Sequence, residues 1–488
     1  MTLDSLNCYR ALTARDARFD GVFFVAVSTT GIYCRPICTA RTPRRDRCSF
    51  YRTPAEAERA GFRACFRCRP ELAPGTTPLE SIPRLVAEAS RHIDEGFLNR
   101  ASVDELARGL GVTGRHLRRA MEARLGVTPI ELAQTRRLAL AKQLLQDSDA
   151  GLAQIAFASG FGSVRRFNAL FRQRFGRAPS SLRRDHAAHV DPGEPGTLAL
   201  RLGYRPPLDW ETMLAFLAGR AIPGVELVAD GTYRRTVTLG DATGTLAVRN
   251  DPTRGALWVS VSPSLAGSLM AIVARSRSLF DLDASPTTIA EVLGADLRLR
   301  PLIERRPGLR VPGAFDPFEA ACRAILGQQV TVRAATTLAG RLVARFGTPV
   351  PGSTDPSGPT LSLLFPAPAR LAGARVDEIA SLGIVGARAR ALVALARSVT
   401  DGSLVLDRHA PLDDTLRALE ALPGIGSWTA HYLAMRALRW PDAFPAADIA
   451  VRKALGGVTA REAEKLSEAW RPWRSYAVLH LWTSLGDG

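Results

Sequence analysis

The sequence predicts a multidomain α+β protein, and three observations support this fold class. Six of the seven cysteines precede residue 75, a helix–turn–helix pattern occurs twice further on, and alternating segments then give way to helical patterns. Alternation with a period of two indicates strands, whereas a period near 3.6 indicates amphipathic helices. We therefore expect a small α/β domain over 1–75, an all-α domain over 78–187, a small antiparallel-sheet α+β domain over 198–290 and an all-α domain over 291–488.

The charge of the chain favours a polyanionic partner. The 488 residues carry a formal net charge of +17, and such a field attracts the phosphates of nucleic acids. An arginine-rich composition without that role is the alternative. No apolar run is as long as a membrane span, and the N-terminal stretch has no signal-peptide core. We expect a cytoplasmic, nucleoid-associated protein without a membrane partner.

Four cysteines of the first domain form two close pairs. Cys34 and Cys38 lie in "CRPIC", and Cys65 and Cys68 lie in "CFRC". Two disulfides and one metal site are the alternatives. Thiols stay reduced in the cytosol, which favours metal binding. Four thiols at this spacing can surround one tetrahedral Zn2+, so we predict a single zinc ion as the cofactor of this domain.

The surroundings of these cysteines suggest chemistry as well as structure. Four thiolates on one Zn2+ carry a formal charge of −2, which makes each sulfur nucleophilic toward an alkyl donor. Several arginines are close in sequence and indicate a nearby DNA backbone; they are Arg35, Arg41, Arg44, Arg45 and Arg47. The segments "FFVAVSTTGIYCRPICTAR" and "AGFRACFRCRP" resemble the N-terminal zinc domain of the Ada adaptive-response family.

That resemblance has specific implications. It implies that all four cysteines are zinc ligands and that Cys34 accepts a methyl group from a DNA methylphosphotriester. The transfer would be suicidal, because the thioether remains. The less negative site would then strengthen sequence-specific DNA binding and switch on repair genes, with RNA polymerase as a partner during activation.

The second region contains an internal repeat. "VDELARGLGVTGRHLRRAMEARLGVTP" and "LAQIAFASGFGSVRRFNALFRQRFGRAP" each contain a short helix, a glycine turn, a polar cap and a basic helix. This is the helix–turn–helix plan, in which the second helix enters the major groove; a solubilising helical hairpin is the alternative. The pair resembles the AraC-type DNA-binding domain. The predicted DNA contacts are Arg115, His116, Arg118, Arg119, Arg165, Arg166 and Asn168.

The C-terminal half contains a hairpin followed by an acidic residue. In "LPGIGSWTAHYLAMRAL", backbone amides around Gly424 and Gly426 can hold a DNA phosphate without sequence preference. Asp448 follows about twenty residues after the hairpin, just ahead of a helix. Taken alone, an acid at that position is usually only an N-cap.

Hairpin, helix and Asp448 resemble the helix-hairpin-helix DNA glycosylase superfamily, and with the segments "FDPFEAACRAILGQQVTVRAATTLAGRL" and "RPWRSYAVLHLW" the chain resembles AlkA-type DNA-3-methyladenine glycosylase II. The resemblance extends from about residue 198 to residue 488 and implies that Asp448 is the catalytic carboxylate. Trp428 occupies the position of the Schiff-base lysine of bifunctional relatives, which implies a monofunctional hydrolase. Gln329 would fill the gap left by a flipped base. The matching positions for the base pocket are Phe216, Trp428, Tyr432 and Trp482; each of them, Phe216 above all, could instead belong to the core.

The sequence thus predicts a fused alkylation sensor and repair enzyme. Its partner would be double-stranded DNA, both at alkylated sites and at promoter operators. It would excise bases of the 3-methyladenine and 7-methylguanine type through Asp448 and report methylphosphotriesters through Cys34. The alternative is a transcriptional regulator whose C-terminal half binds damaged DNA without cutting it.

Overall fold

A computed structural model describes residues 4–75, 84–184, 197–351, 361–407 and 410–486. The chain forms two compact units. The first runs to Arg205 and adds Asp251–Ala274 and Leu282–Ala284, and the second contains Pro206–Asn250, Arg275–Asp281 and the chain from Ser285 onward. Each predicted site falls within one unit: the four cysteines lie in the first and Asp448 lies in the second.

The first unit begins with a small mixed sheet that holds the cysteines. Its strands, in the order β3-β1-β2-β4, are β1 (Phe24–Val27), β2 (Ile32–Cys34), β3 (Cys48–Tyr51) and β4 (Arg63–Ala64), with helices α1 (Ser5–Ala14) and α2 (Pro54–Arg59). Strand β1 pairs antiparallel with β2 and β3, whereas β2 pairs parallel with β4. Since β2 and β4 are neighbours, Cys34 at the end of β2 lies near Cys65, which follows β4.

A helical region follows in the same unit. Its helices are α3 (Arg84–Asp94), α4 (Val103–Gly109), α5 (Gly114–Leu125), α6 (Pro129–Asp147), α7 (Leu152–Ala158), α8 (Val164–Phe175) and α9 (Pro179–Arg184). Helix α5 begins after Thr113, whose hydroxyl accepts from the third amide of the helix, and it ends at left-handed Gly126. Helix α8 repeats this plan with Ser163 and Gly176. The caps supply the hydrogen bonds that the helix ends lack.

Antiparallel strands and one helix follow. These elements are β5 (Leu198–Gly203), α10 (Trp210–Ala218), β6 (Glu226–Ala229), β7 (Thr232–Leu239), β8 (Ala242–Asp251) and β9 (Ala256–Val261). Within the first unit, β5 pairs antiparallel with β9. Within the second unit, β7 pairs antiparallel with both β6 and β8.

The rest of the chain is mostly helical. After α11 (Leu269–Leu279), the elements are α12 (Pro286–Leu293), α13 (Arg300–Arg305), α14 (Pro317–Leu326), α15 (Val332–Phe346), β10 (Thr348–Pro349), β11 (Leu363–Leu364), α16 (Pro368–Ala372), α17 (Val376–Ala380), α18 (Gly386–Thr400), α19 (Leu412–Glu420), α20 (Ser427–Arg436), α21 (Ile449–Ala454), α22 (Ala460–Ser467) and α23 (Arg474–Ser484). Ile325, Leu342, Leu392 and Leu433 are fully buried in one core that joins α14, α15, α18 and α20. This core supports the hairpin between α19 and α20.

The predicted fold class is confirmed. The chain combines a small α/β sheet domain, a helical region with two helix–turn–helix pairs, antiparallel strands and a helical C-terminal region. No helix among the described residues is long and apolar enough to cross a membrane.

Candidate functional site

The four predicted cysteine ligands form one cluster. The sulfur atoms of Cys34, Cys38, Cys65 and Cys68 all lie within 4.8 Å of one another, and none of them is in a disulfide. A tetrahedral zinc ion with Zn–S bonds of about 2.3 Å needs sulfurs roughly 3.8 Å apart. The donor set therefore fits Zn2+, and the prediction of one zinc ion bound by four cysteines is confirmed.

The thiols also perturb one another, as expected for a metal site. Hydrogen bonding with Cys34 lowers the pKa of the Cys38 thiol to about 7. The pKa of Cys34 itself is raised, first by its hydrogen bond with Cys38 and then by its hydrogen bond with Cys65. Thiols this close compete for their protons, so all four cannot ionise together. A divalent cation removes this competition because each sulfur then binds as a thiolate.

Charged side chains of low exposure lie beside the cysteine cluster and take part in its hydrogen bonds. Lys142 of α6 is fully buried, and its ammonium group donates to the carbonyl of Cys65 at 2.9 Å and to Glu71 at 2.8 Å. Arg35, next to Cys34, donates to Asp20 at 2.8 Å, and its backbone amide donates to Cys68 Sγ at 3.3 Å. The Lys142 contact joins the Cys65 loop to α6, and the Arg35 amide joins the loops of the two cysteine pairs to each other.

The zinc loop packs on the second helix–turn–helix. Phe66, between Cys65 and Cys68, lies against Phe175 at the end of α8, with ring centroids 5.8 Å apart. Glu58 of α2 accepts from Arg174 of α8 at 2.5 Å and from Tyr33, the neighbour of Cys34, at 3.0 Å. Sequence reasoning missed this interface, because nothing local to Phe66 or Glu58 indicates their partners.

The predicted DNA-contact residues lie on one side of each second helix. Arg115, His116, Arg118 and Arg119 are exposed on α5, and Arg165 and Arg166 are exposed on α8, where Asn168 is half-buried. The opposite sides, including Leu117 and Phe167, are fully buried. The exposed sides are thus free to meet DNA, and the assignment of individual contacts remains a prediction.

The hairpin of the second unit forms as predicted. Gly424 has a φ of +79° that favours glycine, and Gly426 is the N-cap of α20. Gln328 holds the turn, because its side-chain amide donates to the carbonyl of Gly424 at 2.8 Å and to Thr429 at 3.0 Å. The next residue, Gln329, is exposed and left-handed, with a φ of +55°.

Asp448 is both an N-cap and part of an aromatic site. Its Oδ1 accepts from the amide of Val451 at 2.9 Å and caps α21. The same carboxylate accepts from two indoles: Trp428 Nε1 donates to Oδ2 at 2.8 Å, and Trp482 Nε1 donates to Oδ1 at 3.0 Å. Only 8% of Asp448 is exposed. A cap with no other role does not require two tryptophans around it.

Three of the predicted pocket residues form one stack. Trp428 and Tyr432, one turn apart on α20, are parallel within 19° with centroids 5.4 Å apart. Trp482 of α23 lies 6.3 Å from Tyr432 at an angle of 37°. The rings form an aromatic wall beside the carboxylate of Asp448.

Phe216 lies beside cations. The guanidinium carbons of Arg220 and Arg436 are 3.7 Å and 4.6 Å from its ring centroid. Arg436 also donates to the hydroxyl of Tyr432 at 2.9 Å, so it connects Phe216 with the stack. Sequence reasoning missed Arg436, although its place four residues after Tyr432 puts it on the same side of α20.

Family comparisons cover both units. The metal-binding domain of Ada matches residues 7–71, a helix-turn-helix domain matches 106–185, the AlkA N-terminal domain matches 199–316, and the HhH-GPD superfamily of base excision DNA repair proteins matches 322–474. The matches occur in the order that the sequence predicts.

Individual relatives agree with these matches. A probable bifunctional transcriptional activator/DNA repair enzyme AlkA of Mycobacterium tuberculosis is 43% identical over 99% of this chain and 97% of its own. DNA-3-methyladenine glycosylase 2 of Escherichia coli is 36% identical over 58% of this chain and 97% of its own.

Two further comparisons cover parts of the chain. The bifunctional transcriptional activator/DNA repair enzyme Ada of Escherichia coli is 37% identical over 25% of this chain and 33% of its own. A 3-methyladenine DNA glycosylase structure from Archaeoglobus fulgidus shares the fold over 58% of this chain and 97% of its own, with 22% identity and a TM-score of 0.51. With the zinc cluster, the paired helix–turn–helix elements and the aspartate in its aromatic site, the 43% identity to the Mycobacterium tuberculosis relative over 97% of its length shows that the chain belongs to the AlkA family of bifunctional transcriptional activators and DNA repair enzymes.

Proposed function

We propose that the protein is an alkylation-response factor that both excises alkylated bases from DNA and activates transcription after alkylation of the DNA backbone. The observation that carries the glycosylase half is the carboxylate of Asp448 set in an aromatic site behind the hairpin. The four-cysteine cluster packed on a helix–turn–helix carries the regulatory half.

The glycosylase reaction needs stabilisation of a cation at the sugar. Bases such as 3-methyladenine and 7-methylguanine are cationic in DNA, so they leave with the electrons of the C1′–N bond as neutral molecules. The sugar then has oxocarbenium character, which the negative charge of Asp448 stabilises in a site of low polarity. Water adds its oxygen to C1′ and releases a proton, which leaves an abasic site.

The rings provide the base-binding surface. A flipped base can stack on the wall formed by Trp428, Tyr432 and Trp482, and a cationic base gains cation–π attraction there. Arg220 and Arg436 already contact the ring of Phe216. We therefore propose that Phe216 contributes to the pocket by positioning these arginines. We propose that Gly424 and Gly426 hold a backbone phosphate and that Gln329, exposed and left-handed, fills the gap left in the duplex.

Excision assays test the catalytic role of Asp448. We expect Asp448→Asn to lower the rate of 3-methyladenine and 7-methylguanine release on the order of 100-fold or more, because the neutral amide cannot stabilise the sugar cation. Glu420→Gln, which removes a carboxylate on the hairpin helix α19, is the matched control and should release bases at the wild-type rate. Equal, measurable rates for Asp448→Asn and the wild type would contradict the catalytic role of Asp448, whereas no release by the wild type would leave the regulator without glycosylase activity as the better description.

We propose that Cys34 is the methyl acceptor. Zinc, when bound, keeps the sulfurs as thiolates. Cys38 and Cys65 are buried, whereas Cys34 and Cys68 are partly exposed. Cys68 accepts a hydrogen bond from the Arg35 amide, which draws electron density from its sulfur, so Cys34 is the better nucleophile. Its sulfur forms a bond to the methyl carbon, and the phosphotriester oxygen leaves with the electron pair as an ordinary phosphodiester.

Peptide mass analysis tests this transfer. Zinc-loaded protein incubated with methylphosphotriester DNA should gain one methyl group on the peptide that contains Cys34, and Cys34→Ala should gain none. Cys48→Ala removes a cysteine that lies outside the cluster and serves as the control. No added methyl on zinc-loaded wild type would make the cluster a structural element. Transfer would lower the negative charge of the cluster, strengthen operator binding and permit a contact with RNA polymerase.

A further inference from the structure

The indole N–H groups of Trp428 and Trp482 both point at one carboxylate. They come from different helices, α20 and α23, and approach different oxygens of Asp448, at 2.8 Å and 3.0 Å. Stacking a base requires the faces of these rings but not their N–H groups. The N–H groups therefore serve a second purpose at the site.

The Asp448 carboxylate accepts fewer hydrogen bonds from the described residues than it has acceptor positions. An ionised carboxylate has about four acceptor positions, two on each oxygen. Oδ1 accepts from Trp482 and from the amide of Val451, so both of its positions are used. Oδ2 accepts from Trp428 alone among the described residues. The single remaining acceptor position is thus on Oδ2.

The donors are neutral, which matters for the charge of the site. A lysine or arginine partner would offset the negative charge that must stabilise the sugar cation, whereas an indole orients the carboxylate and leaves its net charge at −1. Arg436, a cation beside the aromatic stack, donates to Tyr432 at 2.9 Å and to the carbonyl of Gly313 at 3.2 Å. The fold thus provides Asp448 with neutral donors and directs the arginine elsewhere.

We propose that Trp428 and Trp482 are positioning residues, in addition to any stacking on the base. Their N–H groups fix Asp448 and direct the remaining acceptor position of Oδ2 toward the sugar cation. The rings are themselves held in place, because Tyr432 stacks on Trp428 and lies against Trp482. Donors held in this way are preorganised before the reaction begins. The inference rests on the proposed glycosylase function.

Two abasic DNA duplexes separate positioning from stacking. One contains a pyrrolidine in place of the sugar, which is cationic and mimics the transition state, and the other contains the neutral tetrahydrofuran analogue. Neither contains a base, so stacking contributes to neither. The readout is the ratio of the two dissociation constants for the full-length protein, which reports how well the site stabilises a cation.

We expect the wild type to prefer the cationic duplex, and Trp428→Phe and Trp482→Phe each to lower that preference by about tenfold, the size of one hydrogen bond to a charged group. Trp470→Phe, which removes an indole N–H that donates to Asp296 at 2.8 Å and makes no bond to Asp448, is the matched control and should keep the wild-type ratio. In an Asp448→Asn background the tryptophan variants should have no further effect. Unchanged affinity for the neutral duplex shows that each variant is folded.

Some results would overturn the inference, and they can be distinguished from a failure of the proposed catalysis. A wild-type ratio in both tryptophan variants overturns the inference and leaves the proposed catalysis standing. A wild type without preference for the cationic duplex overturns the role of Asp448, and the inference with it. If a phenylalanine variant does not fold, benzothienylalanine at position 428 or 482 replaces the N–H by sulfur in a ring of the same shape. The same tenfold loss is then expected, and an unchanged ratio overturns the inference.

Discussion

At the scale of single residues, Asp448 shows how one side chain combines two roles. It caps α21 through Val451 and accepts from two tryptophans. The sequence supports the cap directly, since an acid ahead of a helix is a common N-cap. The two indoles are 20 and 34 residues away in sequence, so only the packing of α20 and α23 brings them to the carboxylate.

His480 of α23 makes the stability of the second unit depend on pH. Only 4% of it is exposed, and its Nδ1 has no hydrogen-bond partner among the described residues. Burial, which disfavours the imidazolium, lowers the pKa of His480 to about 4, although its bond with the Leu302 backbone opposes this shift. The unfolded chain therefore binds more protons than the folded chain between about pH 6.5 and pH 4.

The resulting prediction concerns acid unfolding. The contribution of His480 to the free energy of unfolding should be complete above about pH 6.5. It should decrease as the pH falls toward 4, because protons then favour the unfolded state. His480→Leu should be less sensitive to pH over this range. Urea titrations at several pH values measure the difference between the variants. His431→Leu, at a more exposed histidine, is the control and should retain the wild-type dependence; equal dependence in all three proteins would contradict the prediction.

At the scale of elements, α6 and α8 join the zinc site to the DNA-binding region. Helix α6 supplies Lys142 to the Cys65 carbonyl, and α8 supplies Phe175 to Phe66. Both contacts involve residues at or between zinc ligands. We therefore expect the state of the zinc loop to affect how firmly the end of α8 is held.

Phe66→Ala tests this connection. The loss of the aromatic pair with Phe175 should destabilise the end of α8 by about 1 kcal/mol. Amide hydrogen exchange should then be faster in α8, and zinc removal with a chelator should have the same effect in the wild type. Phe62→Ala removes a ring that packs on Tyr51 instead and should leave α8 protected. If amide exchange in α8 is unchanged both in Phe66→Ala and after zinc removal, the zinc loop does not stabilise this helix.

At the scale of the whole molecule, positive charge should dominate binding to DNA. The net charge of +17 arises from 64 basic and 47 acidic residues, and many arginines are used in internal ion pairs. Arg136, for example, pairs with Asp94 at 2.7 Å. Only arginines that are not engaged in internal ion pairs are available to replace counterions on DNA.

The salt dependence of operator binding distinguishes the two groups. We expect Arg115→Ala and Arg165→Ala each to reduce the slope of log affinity against log salt concentration by about one, if they contact phosphates. Arg136→Gln, which removes an internally paired arginine, should leave the slope unchanged. Fluorescence anisotropy over a range of salt concentrations provides the slopes. A wild-type slope in Arg115→Ala and Arg165→Ala would mean that these arginines do not contact DNA phosphates.

The sequence alone determined the features that depend on local spacing: the two cysteine pairs, the duplicated helix–turn–helix, the glycine hairpin and the order of the domains. Their signals lie within a few turns of chain, where caps, turns and ligand spacing act. The domain boundaries and the individual site roles stay predictions.

Only the tertiary structure decided which distant side chains meet. It brought the indoles to Asp448, Arg436 to Tyr432 and Phe216, and Arg174 to Glu58 across 116 residues. Long-range contacts of this kind follow from the packing of whole helices around shared cores, and no short segment encodes its partner. The ligands of the zinc site could therefore be predicted from the sequence, whereas the indole donors to Asp448 could not.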